Sequence, residues 1–338
     1  MSAPDLPDRD ADWAETPELV VRMLYRLLLD REPDPGGFSH YVSVLRSNRL
    51  TAHQLARKFV ESDEFQHRDP TRVHMATVTA LGCRFILPAG SVAAAEIGSP
   101  AGYEPWVLPY FLERCRPGMT VLDVGASWGA FALPAAARVG PSGRVIAIEV
   151  SPRNCAILMR SIEANGFGNI DVLPLGLSDC LGPEILERQT FTNNNAIETD
   201  RRPPPGDWDR FDIVPVMPFD LLRSALGPVQ LVKMDIEGME YRAARGAAGF
   251  LREQRPTVFV EYSPEFQKIG SRARGADLLG LFLDLGYAVE ILHRSQPRER
   301  LRQLARSAAI ERVDAAWRRH VAEEGGTHLD LCLHPSRP

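Results

Sequence analysis

From about residue 119 the chain alternates short apolar runs with amphipathic segments, and no other feature narrows its folding options as much. MTVLDVGA, GRVIAIEV, IDVLPLGLSD, VQLVKMDIEG, PTVFVEYS and YAVEILH each read as a strand, and THLDLCLH reads as a last one. ALPAAARV and PRNCAILMRSIEANG, the latter ending at Gly166, read as helices between them. Strand–helix alternation predicts an α/β domain with a mostly parallel sheet and helices on both faces. A composition 44% hydrophobic and 25% charged is enough to bury such a core. The length, 338 residues, leaves room for a second domain.

That second domain is expected at the N-terminus. Residues 1–15, polar and rich in Pro and Asp, read as a mobile tail. Three helix signals follow within 16–70. Thr16 caps a helix with Pro17 at its first position, Asp34-Pro35 opens a second, and Thr51 opens a third. Phe38, Tyr41, Val42, Leu45, Leu55 and Phe59 fall at the spacing of buried faces. The result is a small all-α domain with a thin core, followed by the α/β domain over 71–338. LYRLLLDREPDPGGFSHYV and KFVESDEF resemble a small helical domain of unknown function, found in bacterial proteins beside surface or carbohydrate-related modules. The resemblance implies docking to a protein or glycan partner rather than chemistry.

Two stretches interrupt the alternation. Residues 182–212 are polar and Pro-rich, and so long a loop is usually functional. Asn193, Asn194 and Asn195 there either offer amide groups to a polyol or form a simple turn. Residues 294–324 read as a helical insertion before the last strand, with eight arginines between Arg294 and Arg319. Leu301, Leu304, Ala308, Val313, Trp317 and Val321 recur at near-helical spacing, as in a solvated amphipathic helix. A basic surface for an acidic partner is the alternative. The net charge of −5 gives no global argument for nucleic acid or a membrane surface. No apolar run reaches the roughly 18 residues of a membrane span. Five cysteines without a CxxC pair, and an N-terminus unlike a secretory signal, fit reduced thiols in the cytoplasm.

The chemistry concentrates at the predicted strand ends. Asp123-Val-Gly125-Ala126-Ser127-Trp128-Gly129 joins a strand to a helix. Gly125 allows a sharp turn and a close ligand, and Gly129 allows close helix packing. Glu149 ends the next strand about 24 residues on, where a carboxylate can accept hydrogen bonds from ribose hydroxyls. Nicotinamide cofactors use a similar turn, but their fingerprint is GxGxxG. Here Asp123 holds the first glycine position. It would repel a pyrophosphate and attract a cationic amino group. S-adenosylmethionine carries such a group and no phosphate, so the methyl donor is favoured over a dinucleotide oxidoreductase. Ser178 and Asp179 are candidates for the adenine amine, or form a polar turn. Tyr103 and Glu104 precede a helix that can close over the cofactor, with Tyr103 near the sulfonium or simply packed.

Asp235 and Glu237, in KMDIEGME, are candidates for taking the proton of a substrate hydroxyl, with Asp235 first. In the structural alternative Glu237 and Glu240 cap the next helix. Two carboxylates do not specify a metal site, and a divalent cation is not favoured. Glu261 ends a further strand on the same edge, as a site residue or a solvated strand end. Several of these blocks together resemble the FkbM family of methyltransferases: GYEPWVLPYFLERCRPGMTVLDVGASWGAFAL, VIAIEVSPRN, VPVMPFDLL, LVKMDIEGMEYRAARGA and VFVEYSP. The resemblance implies a Rossmann-like class I methyltransferase fold and O-methylation, often of sugar or polyketide hydroxyls. It also implies that Asp123, Gly125, Gly129 and Glu149 bind the cofactor, with Asp235, Glu237 and Glu261 at or near the reaction centre. The basic insertion departs from the family's compact pattern. A catalytically silent scaffold on the same fold remains the other class.

Overall fold

The computed structural model describes residues 17–29, 32–47, 75–187, 211–301 and 304–336, together with 49–51, 54–55, 58–59, 62 and 197–198. The chain divides into two compact units, Met1–His74 and Met75–Pro338. In the first, Pro17–Leu29 and Pro35–Arg46 are helices. Asp34 caps the second by accepting from the Gly37 N–H at 2.8 Å, with Pro35 at the first position. Thr51 and Gln54 form a reciprocal pair in which each backbone N–H donates to the other's side chain, at 2.9 and 3.2 Å. Val21, Tyr25, Val42, Leu55 and Phe59 make the core, with Phe38, Tyr41 and Leu45 at its border. Thr16 and the tail lie outside the described residues.

The second unit opens on a hairpin, β1 (Met75–Ala80) and β2 (Cys83–Pro88). The strands β3 (Thr120–Val124), β4 (Arg144–Ile148) and β5 (Ile170–Leu173) are parallel neighbours. A second sheet, ordered β6-β9-β7-β8, comprises β6 (Gly176–Leu177), β7 (Gly182–Glu187), β8 (Ile197–Glu198) and β9 (Phe211–Met217). The main sheet continues with β10 (Leu231–Met234), β11 (Thr257–Tyr262), β12 (Tyr287–Leu292), β13 (Glu299–Leu301) and β14 (Leu329–Pro335). Its order is β13-β12-β14-β11-β10-β3-β4-β5, with β14 antiparallel between β11 and β12. Strand order reverses between β3 and β10, which makes their carboxyl ends the expected ligand crevice.

Each face of the sheet buries its own core. Val121, Val145, Leu231, Phe259 and Cys332 pack beneath the helices Leu108–Arg114 and Ala132–Val139. Leu122, Ile146, Val232 and Val258 pack on the other face with residues of Glu240–Gly246, Gly275–Asp284 and Arg306–Glu324. Strand parity sorts these sets, because alternate side chains point to opposite faces.

Three expectations are corrected. IDVLPLGLSD is two strands in different sheets, separated at Pro174, which has no N–H to continue a ladder. The stretch 182–212 is not all loop: β7 opens it and β9 begins at its end, paired antiparallel. The 294–324 insertion contributes edge strand β13 before its helix starts at Arg306. That helix buries Ala309, Val313, Ala316 and His320 and exposes Val321, and Leu304 before it is exposed too. Arg306 pairs with Asp284 at 2.9 Å and Arg312 with Glu299 at 2.7 Å, so part of the basic run is neutralised within the fold. Among the described residues no helix is long and apolar enough to cross a membrane.

Candidate active site

A cavity of about 450 Å³ opens at the carboxyl ends of β3, β4, β10 and β11, as the strand reversal requires. Because β14 runs antiparallel, its start delivers Thr327 and His328 to the same edge, and the end of β12 delivers Arg294. Six carboxylates line the cavity: Glu96, Glu104, Glu149, Asp235, Glu237 and Glu261. Arg294 is the single lysine or arginine among the lining residues.

The turn after β3 is held from two sides. The N–H groups of Gly125 and Ala126 donate to the Ile148 carbonyl at 2.9 and 3.0 Å, and that of Ser127 donates to Glu149 Oε2 at 2.8 Å. Glu149 Oε1 accepts from the Ser151 N–H at 2.7 Å. Turn and acid are therefore one rigid unit. Gly125 has φ +83°, and a Cβ there would stand 1.9 Å from the Asp235 carbonyl oxygen. The glycine is needed because two strand-end turns touch. A Cβ on Gly129 would meet Leu158 at 2.6 Å, in keeping with its packing role.

Asp123 and Lys233 are register partners on adjacent strands, both almost fully buried. Lys233 Nζ lies 3.0 Å from Asp235, 3.9 Å from Glu104 and 4.8 Å from the Phe131 ring centre. Burial disfavours its charge, but Asp235 and Glu104 override that and hold the ammonium well above its usual range. Burial likewise opposes ionisation of Asp235, yet Lys233 and a hydrogen bond with Glu261 hold it well below the carboxylate range. Its neighbours shift the other way. Burial, then Asp235, raises Glu237 to about 8 and pushes Glu261 well up. Glu104 rises to about 8 and Asp123 to about 7, chiefly by burial. Three lining residues, Glu104, Ser127 and Glu237, hold positive φ without being glycine, a strain that persists only where surrounding structure enforces it.

Tyr103, Glu104, Gly125, Ser127, Glu149, Asp235, Glu237 and Glu261 all line the cavity. Asp123, Ala126 and Gly129 stand behind its wall, where Asp123 accepts the Ala132 N–H at a helix start. Ser178 and Asp179 are not among the lining residues; Asp179 is held by Arg242 at 2.9 Å and Arg245 at 3.1 Å. The neighbouring backbone of Gly176 and Leu177 lines the cavity instead. Glu240, not Glu237, performs the capping, accepting the Ile236 N–H at 2.8 Å and the Gly238 N–H at 3.3 Å. Asn193, Asn194 and Asn195 lie outside the described residues.

Sequence reasoning gave no role to Lys233, Arg294 or His328. Lys233 had a legible signal, a cation amid an otherwise apolar buried strand. His328 had none: its place depends on β14 inserting antiparallel, which brings it 3.8 Å from Glu261 and 3.3 Å from Arg294.

Fold and crevice define a methyltransferase-type α/β domain, and residues 123–289 match the model of the Methyltransferase FkbM domain. That matched stretch, just under half of the chain, is an FkbM methyltransferase domain. Residues 14–68 match a domain of unknown function, DUF4214. Nocamycin O-methyltransferase of Saccharothrix syringae is 39% identical over 57 residues, 17% of this chain. The match spans only 20% of that relative's length. Among solved structures, methyltransferase FkbM from Methylobacillus flagellatus aligns with 16% identity and TM-score 0.40, over 92% of this chain and 58% of the other. A SAM-dependent O-methyltransferase from Thermotoga maritima aligns with 9% identity and TM-score 0.37, over 78% of each chain.

Proposed function

We propose that the protein is an S-adenosylmethionine-dependent O-methyltransferase acting on a hydroxyl of a sugar, glycan or polyketide-like acceptor. One observation carries the reading: six carboxylates face a cavity with one lining arginine, and several are kept neutral by burial until a cation arrives. A sulfonium with an ammonium group meets that demand, whereas a dinucleotide's pyrophosphate would add to the repulsion. Buried Glu104 Oε2 and Ser127 Oγ have no hydrogen-bond partner among the described residues, as expected of groups reserved for a ligand.

Glu149 keeps lone pairs for ribose hydroxyls beyond the N–H groups it accepts. Asp235, ionised through Lys233, holds the cationic end, and the Tyr103 ring offers a cation–π face. When bound, S-adenosylmethionine supplies a methyl group already activated on sulfur. The rest falls to the chain's own residues. Holding the acceptor hydroxyl in place contributes about 7–11 kcal/mol. Glu237 accepts the proton, a step worth roughly 10²–10⁴-fold, because its carboxyl titrates near neutral pH while Asp235 is too weak a base. We thereby rank Glu237 before Asp235 as the proton acceptor. We assign no divalent metal here, since the Lys233 ammonium already neutralises Asp235. Thr327, His328 and the Arg294–Trp106 stack, 4.3 Å apart, form the rim on the acceptor side. The N-terminal unit docks a protein or glycan partner, nucleic acid is not a substrate, and the reaction belongs in the cytoplasm.

The test is calorimetry with S-adenosylmethionine, followed by mass-resolved methyl uptake from labelled donor onto glycans, small polyols and polyketide-like alcohols. A gain of one methyl on a hydroxyl is expected. Binding of a nicotinamide dinucleotide in place of S-adenosylmethionine would sink the reading; cofactor binding without transfer to any acceptor would leave a silent scaffold.

A further inference from the structure

The sheet face that carries Asp123 and Lys233 has a second concavity, of about 540 Å³. Register links the two places: Glu290 pairs with Cys332, Cys332 with Phe259, Phe259 with Lys233, and Lys233 with Asp123. Five arginines surround it, Arg114 and Arg116 after the helix Leu108–Arg114 or at its end, Arg138 on Ala132–Val139, and Arg298 and Arg300 before and on β13. Two carboxylates oppose them, exposed Glu113 and buried Glu290.

Glu290 is held by three neighbours through one oxygen. Its Oε2 accepts from the Tyr110 hydroxyl at 2.8 Å and from Arg300 at 3.3 Å, and it lies 2.8 Å from His334 Nε2. Tyr110 in turn accepts from Arg114 and carries the Arg298 guanidinium 3.7 Å above its ring. The carboxylate and the phenol therefore act as a scaffold that aims guanidinium groups into one hollow. Arg116, Arg138 and Arg298 have no carboxylate within ion-pairing distance among the described residues. Three uncompensated cations held together repel one another, and their fork-shaped donors match phosphate oxygens. Glu290, Cys332 and His334 lie close enough to ligate a metal, but five guanidinium groups make the hollow hostile to a cation.

We propose that this hollow is a binding site for a phosphate-bearing polyanion, of the diphosphate-ester class, separate from the methyl-transfer cavity. It accounts for Arg298, a part of the basic insertion that neither internal ion pairing nor the cavity uses. The inference does not depend on the reading given under Proposed function.

The experiment is calorimetry of the full chain with inorganic pyrophosphate, and with a nucleoside diphosphate, at low ionic strength. Saturable binding is expected, weakened about tenfold or more in R116A/R298A, since two charged hydrogen-bond donors are removed. R319A, in the same basic insertion but outside the hollow, should bind within about twofold of the parent. Cosedimentation with phosphatidylcholine vesicles, with and without phosphatidic acid, separates the sources. Binding to the vesicles alone, lost in R116A/R298A, assigns a lipid phosphate, and binding to the soluble anions assigns a free one. No binding to any probe, or equal losses in R116A/R298A and R319A, overturns the proposal. Both variants change exposed side chains, and matching far-ultraviolet dichroism confirms that they fold.

Discussion

Two hollows of similar volume and opposite charge, one at the carboxyl edge of the sheet and one against a sheet face, obtain their properties in different ways. The cavity at the strand ends is lined by six carboxylates, of which five are buried or half-buried. Burial and the Lys233 ammonium together split a set of similar acids into an ionised Asp235 and neutral neighbours. The arginine hollow is built from long side chains that stay in contact with solvent and act through number. Proton affinity is thus tuned where desolvation is strong, and charge density is tuned where it is weak.

The largest effect should come from removing the cation that keeps the acidic cavity intact. Lys233→Met leaves Asp235 and Glu104 without their ammonium, and should cost about 3–5 kcal/mol in chemical denaturation at pH 8. At pH 5.5 the loss should shrink, because the carboxyls take up protons. A loss independent of pH would mean that Lys233 matters for packing alone. Gly125→Ala should cost about 3 kcal/mol, through positive φ and the Asp235 carbonyl, and should weaken cofactor binding by disturbing both turns. Normal stability in that variant would contradict the contact between the turns.

Next in size, Glu237→Gln should lower kcat by roughly 10²–10⁴-fold while the Kd for S-adenosylmethionine stays within about threefold. Unchanged turnover would remove Glu237 from the proton-accepting role. The pH dependence has a definite sign. Asp123, Glu104 and Glu237 have folded-state pKa values of about 7, 8 and 8, raised above those of the unfolded chain. Their contribution to stability is full below the unfolded carboxyl range and is lost as pH rises through 7–8, so the ligand-free protein should melt lower at pH 8.5 than at pH 6. A cationic ligand favours the ionised forms. Its affinity should therefore rise across the same window, with proton release visible as a buffer-dependent calorimetric enthalpy. A flat affinity profile would deny the cavity its buried neutral acids. Smallest of all, Arg138→Ala in the other hollow should shift stability by no more than about 0.5 kcal/mol and leave cofactor affinity unchanged.

Much of this architecture was written in the local sequence. The apolar runs predicted the seven long strands of the main sheet from β3 onward, apart from the ending of β5, and Gly166 marks its helix end in a left-handed cap. Gly125, Ser127 and Glu149 were legible as a turn with a neighbouring acid because turn chemistry and a strand-end acid are local properties, and Asp34-Pro35 and Thr51 announced their helices in the same way. Ser178 and Asp179 fall outside the cavity lining, on a segment that Pro174 sends to another sheet, where Arg242 pairs with Asp179.

What sequence alone determined, then, is the order of elements, the glycine turns and the set of carboxylates at strand ends, since each depends on residues a few positions apart. Tertiary structure decided which acid is charged, that Lys233 sits among them, that His328 and Arg294 reach the same edge, and that arginines from three distant segments share one hollow. These outcomes depend on burial and on how β14 pairs, and both arise only when segments remote in the chain are brought together.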